Sequence, residues 1–115
     1  MAARVMVFAR IRPGDEEAFE RAFAEVAAKM RGTPGHIREE LLRDPTEPDS
    51  YVLVGDWTSR SAFQEWFDSP GHEGRTTPMR QYWEGRAEHH LYEVTVRAEP
   101  GRDAQAVADQ PTATS

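Results

Sequence analysis

The first apolar run of the chain, residues 4–11, alternates in two sets. Because successive side chains of a strand point to opposite faces, this pattern predicts a β-strand that is covered on both sides. One predicted face carries Val5, Val7, Ala9 and Ile11, and the other carries Met6 and Phe8.

The next apolar positions recur with helical spacing and predict an amphipathic helix. They are Phe19, Ala22, Phe23, Val26, Ala27 and Met30. Acidic residues 15–17 precede them, where the helix dipole favours negative charge, and Gly32 suits the end of the helix. Core packing is the simpler role for this face, although Phe23 and Met30 could also line a cavity.

Two further strands are predicted on either side of a proline-rich turn at residues 44–50. In residues 36–43, Ile37 and Leu41 share one face, and the opposite face is mainly polar, with His36, Arg38, Glu40 and Leu42. This pattern is typical of an edge strand. In residues 51–57, the face that ends at Trp57 also carries Tyr51, Leu53 and Gly55. Gly55 either leaves room beside Trp57 or marks a bulge.

The second half of the chain predicts helices and one last strand. Ser59 is a suitable N-cap for a short helix whose apolar face is Ala62, Phe63, Trp66 and Phe67. Ser69 and Pro70 can begin a second, broken helix to about Trp83, with Met79, Tyr82 and Trp83 facing inward. A fourth strand follows at 87–96, with His90, Tyr92 and Val94 on one face.

This order of elements predicts an α+β fold of the ferredoxin-like βαββαβ type, formed by residues 1–96 as one domain. Right-handed crossovers would place both helices on one face of a four-stranded antiparallel sheet. The other face would expose Met6 and Phe8, so we expect a homodimer that covers it. Residues 97–115 are polar and are predicted to form a mobile tail.

Composition excludes several classes of function. The net charge of −6 gives no basic surface for nucleic acid. No apolar run reaches the roughly 20 residues of a membrane span. The absence of cysteine excludes disulfides and thiolate chemistry and favours a cytoplasmic location. The histidine spacing is unsuited to a metal site, and there is no glycine-rich phosphate motif, so we expect neither a metal nor a nucleotide cofactor.

Several short motifs carry a family resemblance over roughly residues 4–96. They are Pro34-Gly35, the junction 56–59 (Asp-Trp-Thr-Ser), Ala62-Phe63, and the segment 69–72 (Ser-Pro-Gly-His). In these motifs the chain resembles the antibiotic biosynthesis monooxygenase family of dimeric α+β barrels. The resemblance implies oxidation of an aromatic polyketide-type molecule by dioxygen without a cofactor.

The resemblance also implies site residues. A tryptophan at the end of strand three, which in the cofactor-free oxygenases helps to hold the substrate, is matched by Trp57, whereas an asparagine and a helical tyrosine of those enzymes correspond to Leu53 and Phe63. Of the residues typical of haem-degrading relatives, only the helical tryptophan has a counterpart in this chain, which is Trp66. The predicted catalytic residues are Trp57, Trp66 and His72, and the predicted substrate-binding residues are Tyr51, Leu53, Phe63, Phe23, Arg38 and Tyr82.

Two alternatives follow from the apolar residues at positions 53 and 63. One is a polyketide cyclase, in which His72 or Arg38 would polarise a carbonyl group. The other is a small-molecule-binding protein without catalysis. His72 itself is either the titratable group of the site or a surface histidine at a helix start. His36 and His90 are expected at an interface or in solvent, or else in a second polar cluster with Arg38.

Overall fold

A computed structural model describes residues 1–99, apart from the side chain of Glu73. Most of the predicted tail, from residue 100 onward, lies outside the described residues. The elements are β1 (Ala3–Arg10), α1 (Glu16–Lys29), β2 (His36–Arg43), β3 (Ser50–Trp57), α2 (Arg60–Phe67), α3 (His72–Arg80) and β4 (Glu88–Glu93). Within residues 1–99, no helix is both long and apolar enough to cross a membrane.

The four strands form one antiparallel sheet in the order β2-β3-β1-β4. In the register, Val5 of β1 lies between Gly55 of β3 and Leu91 of β4. The helices cover the face that carries these residues. The predicted ferredoxin-like fold is therefore confirmed, and both faces of β1 have the side-chain sets that its alternation predicts.

The core lies between the sheet and the helices in two clusters of buried side chains. The larger cluster is formed by Ile11, Phe19, Ala22, Val26, Tyr51, Leu53 and Met79. The smaller cluster is formed by Ala3, Met30 and Trp57, with Val5, Ala62, Phe63 and Trp66 packed against it. The apolar stripe of α1 contributes to both clusters, because Phe19 and Val26 belong to the first and Met30 to the second.

Strand β2 departs from simple alternation. Its pairing with β3 shifts between His36 and Arg38, which is a β-bulge. A bulge inserts one extra residue, so the residues before it change face relative to those after it. His36 consequently packs against the Trp57 ring on the helix-covered side, and Ile37 is 50% exposed instead of packing beside Leu41. The predicted grouping of His36 with Arg38 on one face was wrong for this reason.

Two other predicted boundaries also differ. Strand β4 ends at Glu93 rather than at Val96, and its last pair with β1 is Glu93 with Ala3. The broken helix is α3, and it begins at His72 after Gly71 rather than at Pro70. Gly71 adopts φ 85°, a left-handed conformation that glycine tolerates easily, so the turn at residues 69–71 separates α2 from α3.

Candidate active site

One cavity lies between the helix-covered face of the sheet and the helices. It has about 90 Å³ of free space, which exceeds the roughly 10–15 Å³ that one water molecule needs. It reaches from Glu39 on the edge strand β2 to His89 on the opposite edge strand β4, and three strand spacings correspond to about 14 Å. Its aromatic lining is formed by Phe23, Trp57, Phe63, Trp66, Phe67 and Trp83.

Trp57 is the centre of the aromatic wall. It is 1% exposed, and its ring lies 5.6 Å from that of Phe63 and 5.5 Å from that of Trp66. Both partners belong to α2, whose start is held by Ser59, because the Ser59 hydroxyl accepts a hydrogen bond from the Ala62 amide at 3.1 Å. The predicted N-cap therefore orients the face of α2 that closes the cavity over the end of β3.

His72 also lines the cavity and is not a surface residue, since it is 9% exposed. Its ring lies 4.5 Å from Trp66 in an edge-to-face arrangement and 4.6 Å from Phe67. Because α3 begins at His72, the imidazole is directed at the aromatic face of the preceding helix. The cavity thus brings together Trp57, Trp66 and His72, together with Phe23, Leu53 and Phe63.

Three of the predicted substrate-binding residues do not line this cavity. Tyr51 belongs to the larger core cluster, and its hydroxyl donates to Glu20 at 2.6 Å. Burial and the neighbouring Glu20 raise the pKa of Tyr51 to about 12. Tyr82 packs against the same cluster. Arg38 is on the open face of the sheet, where it donates to Asp56 at 3.0 Å.

The sequence interpretation missed a buried carboxyl group in the cavity lining, that of Glu39. The Glu39 side chain is 14% exposed and lies 3.1 Å from Nε2 of His36. Burial, assisted by the negative charge of Asp56, raises the pKa of Glu39 to about 8. Burial also lowers the pKa of His36. Glu39 is therefore a carboxyl that titrates near neutral pH inside an apolar cavity.

Gly55 is the sequence signal that accompanies Glu39. A Cβ atom at position 55 would lie 2.6 Å from Glu39 Oε1, so glycine leaves the space that the carboxyl group occupies. Glycine inside a strand often marks such a close approach. The bulge is in β2 and not at Gly55. The space that Gly55 leaves is occupied by the Glu39 side chain of the neighbouring strand.

The other end of the cavity has a donor without a partner. Trp83 Nε1 is buried and makes no hydrogen bond within the described residues. The Arg80 guanidinium lies 5.6 Å from the centre of the Trp83 ring, and His89 lies 6.2 Å from it. Burial, followed by the charge of Arg80, lowers the pKa of His89. Trp83, Arg80 and His89 thus supply N–H groups at this end of the cavity lining.

The arrangement favours an organic ligand. Among the residues that the structure describes, no three histidine, aspartate or glutamate side chains are grouped as metal ligands. A mainly apolar cavity with a few polar groups at its ends is typical of sites for small molecules.

Comparison with known proteins identifies relatives of the same kind. The chain is 32% identical over 90 residues to deoxynogalonate monooxygenase of Streptomyces nogalater, which covers 78% of this chain and 75% of that protein. It is 26% identical over 82 residues to protein SchA of Streptomyces halstedii, but this match covers only 22% of SchA.

The fold agrees with a crystal structure from the same group of proteins. A variant of SnoaB, a cofactor-independent oxygenase from Streptomyces nogalater, superposes with a TM-score of 0.73 at 28% identity, covering 84% of this chain and 95% of SnoaB. The family model for antibiotic biosynthesis monooxygenase matches residues 2–74, which is more than half of the chain and includes most of the cavity wall. The chain belongs to the antibiotic biosynthesis monooxygenase family.

Proposed function

We propose that the protein is a cofactor-independent monooxygenase that oxidises an aromatic polyketide-type molecule. The single observation that carries this proposal is the cavity in which Trp57, Trp66 and His72 meet one another against the sheet. The relationship to deoxynogalonate monooxygenase and to the cofactor-independent oxygenase SnoaB supports the same reaction class.

The reaction needs an electron-rich substrate and a dry site. Loss of an acidic proton leaves an aromatic anion that can pass electrons to dioxygen. A ring CH₂ group then becomes a carbonyl group, one oxygen atom of dioxygen enters the product, and the other leaves with the two hydrogen atoms as water. The buried aromatic wall keeps solvent away from the reactive intermediates.

The residues have distinct proposed roles. Trp57 and Trp66 hold the flat substrate, with Phe23, Leu53 and Phe63 completing the apolar surface. His72 orients the substrate from the side of α3. Trp83 Nε1 donates to a carbonyl or phenolic oxygen at the opposite end, which would satisfy its missing hydrogen bond.

Oxygen uptake with an anthrone or a naphthol in metal-free buffer tests the proposal. Trp57→Phe should lower the rate at least about tenfold, because the ring that packs between Phe63 and Trp66 becomes smaller. Tyr92→Phe is the matched control, since Tyr92 is 53% exposed and lies on the open face of the sheet. Equal losses in both variants, or no uptake by the wild-type protein, would contradict the oxygenase proposal.

A polyketide cyclase is the second candidate. It is favoured by Leu53 and Phe63, which line the cavity with apolar surface at the two positions where the oxygenases have polar groups. A product that forms equally well without dioxygen would identify a cyclase. Tight binding without any product would identify a non-catalytic binding protein.

We also propose a homodimer that forms through the open face of the sheet. This face exposes 39% of Phe8, 47% of Leu42 and 53% of Tyr92. Phe8→Glu should convert the dimer to a monomer in analytical ultracentrifugation, whereas Phe67→Glu, on α2 and also 40% exposed, should leave it intact. A wild-type protein that sediments as a monomer would contradict this proposal. A cytoplasmic location stays a prediction from the absence of cysteine.

A further inference from the structure

Glu39 occupies a site that the fold builds for it. Its strand, β2, is an edge strand, yet the side chain turns under α1 into the cavity and is only 14% exposed. The space for its carboxyl group exists because position 55 has no Cβ atom. Burial of a carboxyl group in an apolar cavity loses its hydration and so costs free energy, whereas an apolar side chain at the same position would not have this cost.

His36 is brought to Glu39 by the bulge in β2. Without the extra residue, positions 36 and 39 would point to opposite faces of the strand. With it, His36 Nε2 lies 3.1 Å from Glu39 Oε1, and the His36 ring packs 5.0 Å from Trp57. The local backbone irregularity therefore produces one histidine–carboxyl pair beside the central aromatic residue.

The pair connects two different environments. Glu39 lines the apolar cavity, and both Glu39 and His36 line a groove between α1 and β2 that is open to solvent. A proton that reaches Glu39 from the cavity thus has a neighbouring acceptor, His36, on the solvent side.

Charged and titratable groups lie on several sides of the pair. The cavity is also lined by His72 and Arg80 of α3 and by His89 of β4, and the groove by Arg31, which follows α1, and by Arg38 of β2. Asp56 of β3 lies across the sheet, on its open face. Of these, Asp56 contributes to the raised pKa of Glu39 and acts on His36 in the same direction. Burial is the larger cause for both groups, so neither Glu39 nor His36 is fully charged near pH 7.

We propose that Glu39 is a catalytic residue that accepts the acidic proton of a phenolic or anthrone-type substrate, and that His36 is the positioning residue that passes this proton to the solvent groove. The O–H or C–H bond of the substrate breaks, its electron pair stays on the aromatic system, and the proton bonds to the Glu39 carboxylate. This assignment rests on the proposed oxygenase function and deepens it, because it names the class of substrate as an aromatic weak acid.

Substitution of Glu39 gives the direct test in the oxygen-uptake assay. Glu39→Gln keeps the shape and resembles the protonated acid, so the fold should persist while kcat/KM falls about 100- to 10,000-fold. Glu39→Asp should retain more activity than Glu39→Gln. The matched control is Glu40→Gln, the neighbouring carboxyl on the open face, which should leave activity within about twofold of wild type.

The pH profile separates catalysis from a structural effect. In the wild type, kcat/KM should rise with pH up to an apparent pKa near 8, following the Glu39 carboxylate. In Glu39→Gln this rise should be lost. His36→Gln should retain the rise but displace its midpoint. A rise that is unchanged in Glu39→Gln would belong to the substrate itself and would overturn the assignment.

Binding without oxygen distinguishes this inference from the proposed function. A hydroxyanthraquinone, whose anion absorbs at longer wavelength than its neutral form, is titrated into the protein in anaerobic buffer at pH 8. The wild type should stabilise the bound anion and Glu39→Gln should not. If both or neither ionise the bound dye, or if the dye does not bind, Glu39 is not the proton acceptor. If only the wild type ionises it but no substrate consumes oxygen in air, the proton acceptor stands and the oxygenase proposal fails.

Discussion

Glu39 and Asp56 lie on neighbouring strands, and their largely buried carboxyl groups face opposite sides of one sheet. Asp56, on the open face, accepts hydrogen bonds from Arg4 at 2.8 Å and Arg38 at 3.0 Å. Glu39, on the covered face, has His36 as its hydrogen-bond partner and apolar cavity around it. The two arginines stabilise the charged form of Asp56, whereas the apolar surroundings of Glu39 disfavour its charged form.

The surroundings of a carboxyl group, rather than its residue type, decide what it contributes to the protein. Asp56 of β3 links three strands, because it forms ion pairs with Arg4 of β1 and Arg38 of β2. Glu39 has no cation at hydrogen-bond distance among the described residues. Burial raises its pKa to about 8. The covered face therefore holds a carboxyl group with a raised pKa, whereas the open face holds its carboxyl group in ion pairs.

The greatest loss of stability is expected on the covered face of the sheet, at Trp57. Trp57→Ala should lower the free energy of unfolding by about 3–5 kcal/mol, because it removes a fully buried ring from the smaller core cluster. Urea denaturation measures this change, and Trp57→Phe should cost markedly less. A loss below about 1 kcal/mol for Trp57→Ala would mean that the aromatic wall contributes little to the fold.

The second effect is the pH dependence of stability caused by Glu39. Its pKa rises from an ordinary 4.5 to about 8 on folding, so its contribution is complete below pH 4.5 and is lost as the pH rises through 8. Glu39→Gln removes this loss and should be more stable than the wild type at pH 9 by about 2–4 kcal/mol, with little difference at pH 5.

Thermal unfolding of wild type, Glu39→Gln and Glu40→Gln across this pH range measures the effect. His36 works in the opposite direction, since its lowered pKa costs stability as the pH falls below 6.5, and this contribution should persist in Glu39→Gln. Parallel stability curves for all three proteins would show that Glu39 is not held in its protonated form.

The third prediction links the two faces through Asp56. Asp56→Asn should cost about 1–2 kcal/mol of stability, because both arginines lose a charged partner at a site where they remain partly exposed. It should also lower the pKa of Glu39, since the charge of Asp56 helps to raise it. Infrared titration of the Glu39 carboxyl reports this shift.

Asp49→Asn is the matched control for Asp56→Asn. Asp49 pairs with Arg10 at 3.2 Å in a more exposed setting, so its change should cost less than about 0.5 kcal/mol and should leave Glu39 unaffected. If Asp56→Asn leaves the pKa of Glu39 unchanged, the charge of Asp56 does not act on Glu39 through the sheet, and the two faces are electrostatically independent.

The smallest effect on stability is expected at Trp83. Trp83→Phe removes a buried N–H group that has no partner within the described residues, so stability should change by less than about 1 kcal/mol. Affinity for a hydroxyanthraquinone should nevertheless fall about 2- to 10-fold, because the donor at that end of the cavity is lost. Isothermal titration calorimetry measures both proteins, and an unchanged affinity would mean that ligands do not use this donor.

Much of the site was predictable because it follows regular elements. Helical spacing placed Phe63 and Trp66 on one face of α2, and the position of Trp57 at the end of β3 brought it under that face. Tyr51 and Tyr82 were predicted in the cavity because they are aromatic and face inward. Tyr51 lies in the larger core cluster instead and Tyr82 packs against that cluster, since a periodic pattern identifies the buried side but not the depth at which a cavity begins.

The order of the elements, the inward faces of β1, β3 and the helices, and the aromatic segment over β3 follow from the sequence, because they depend on local periods of 2 and 3.6 residues. That Glu39 enters the cavity while Arg38 stays outside it is visible only in the folded structure. The reason is the bulge in β2, where one extra residue changes which side chains face the helices, together with the space left by Gly55 on the neighbouring strand.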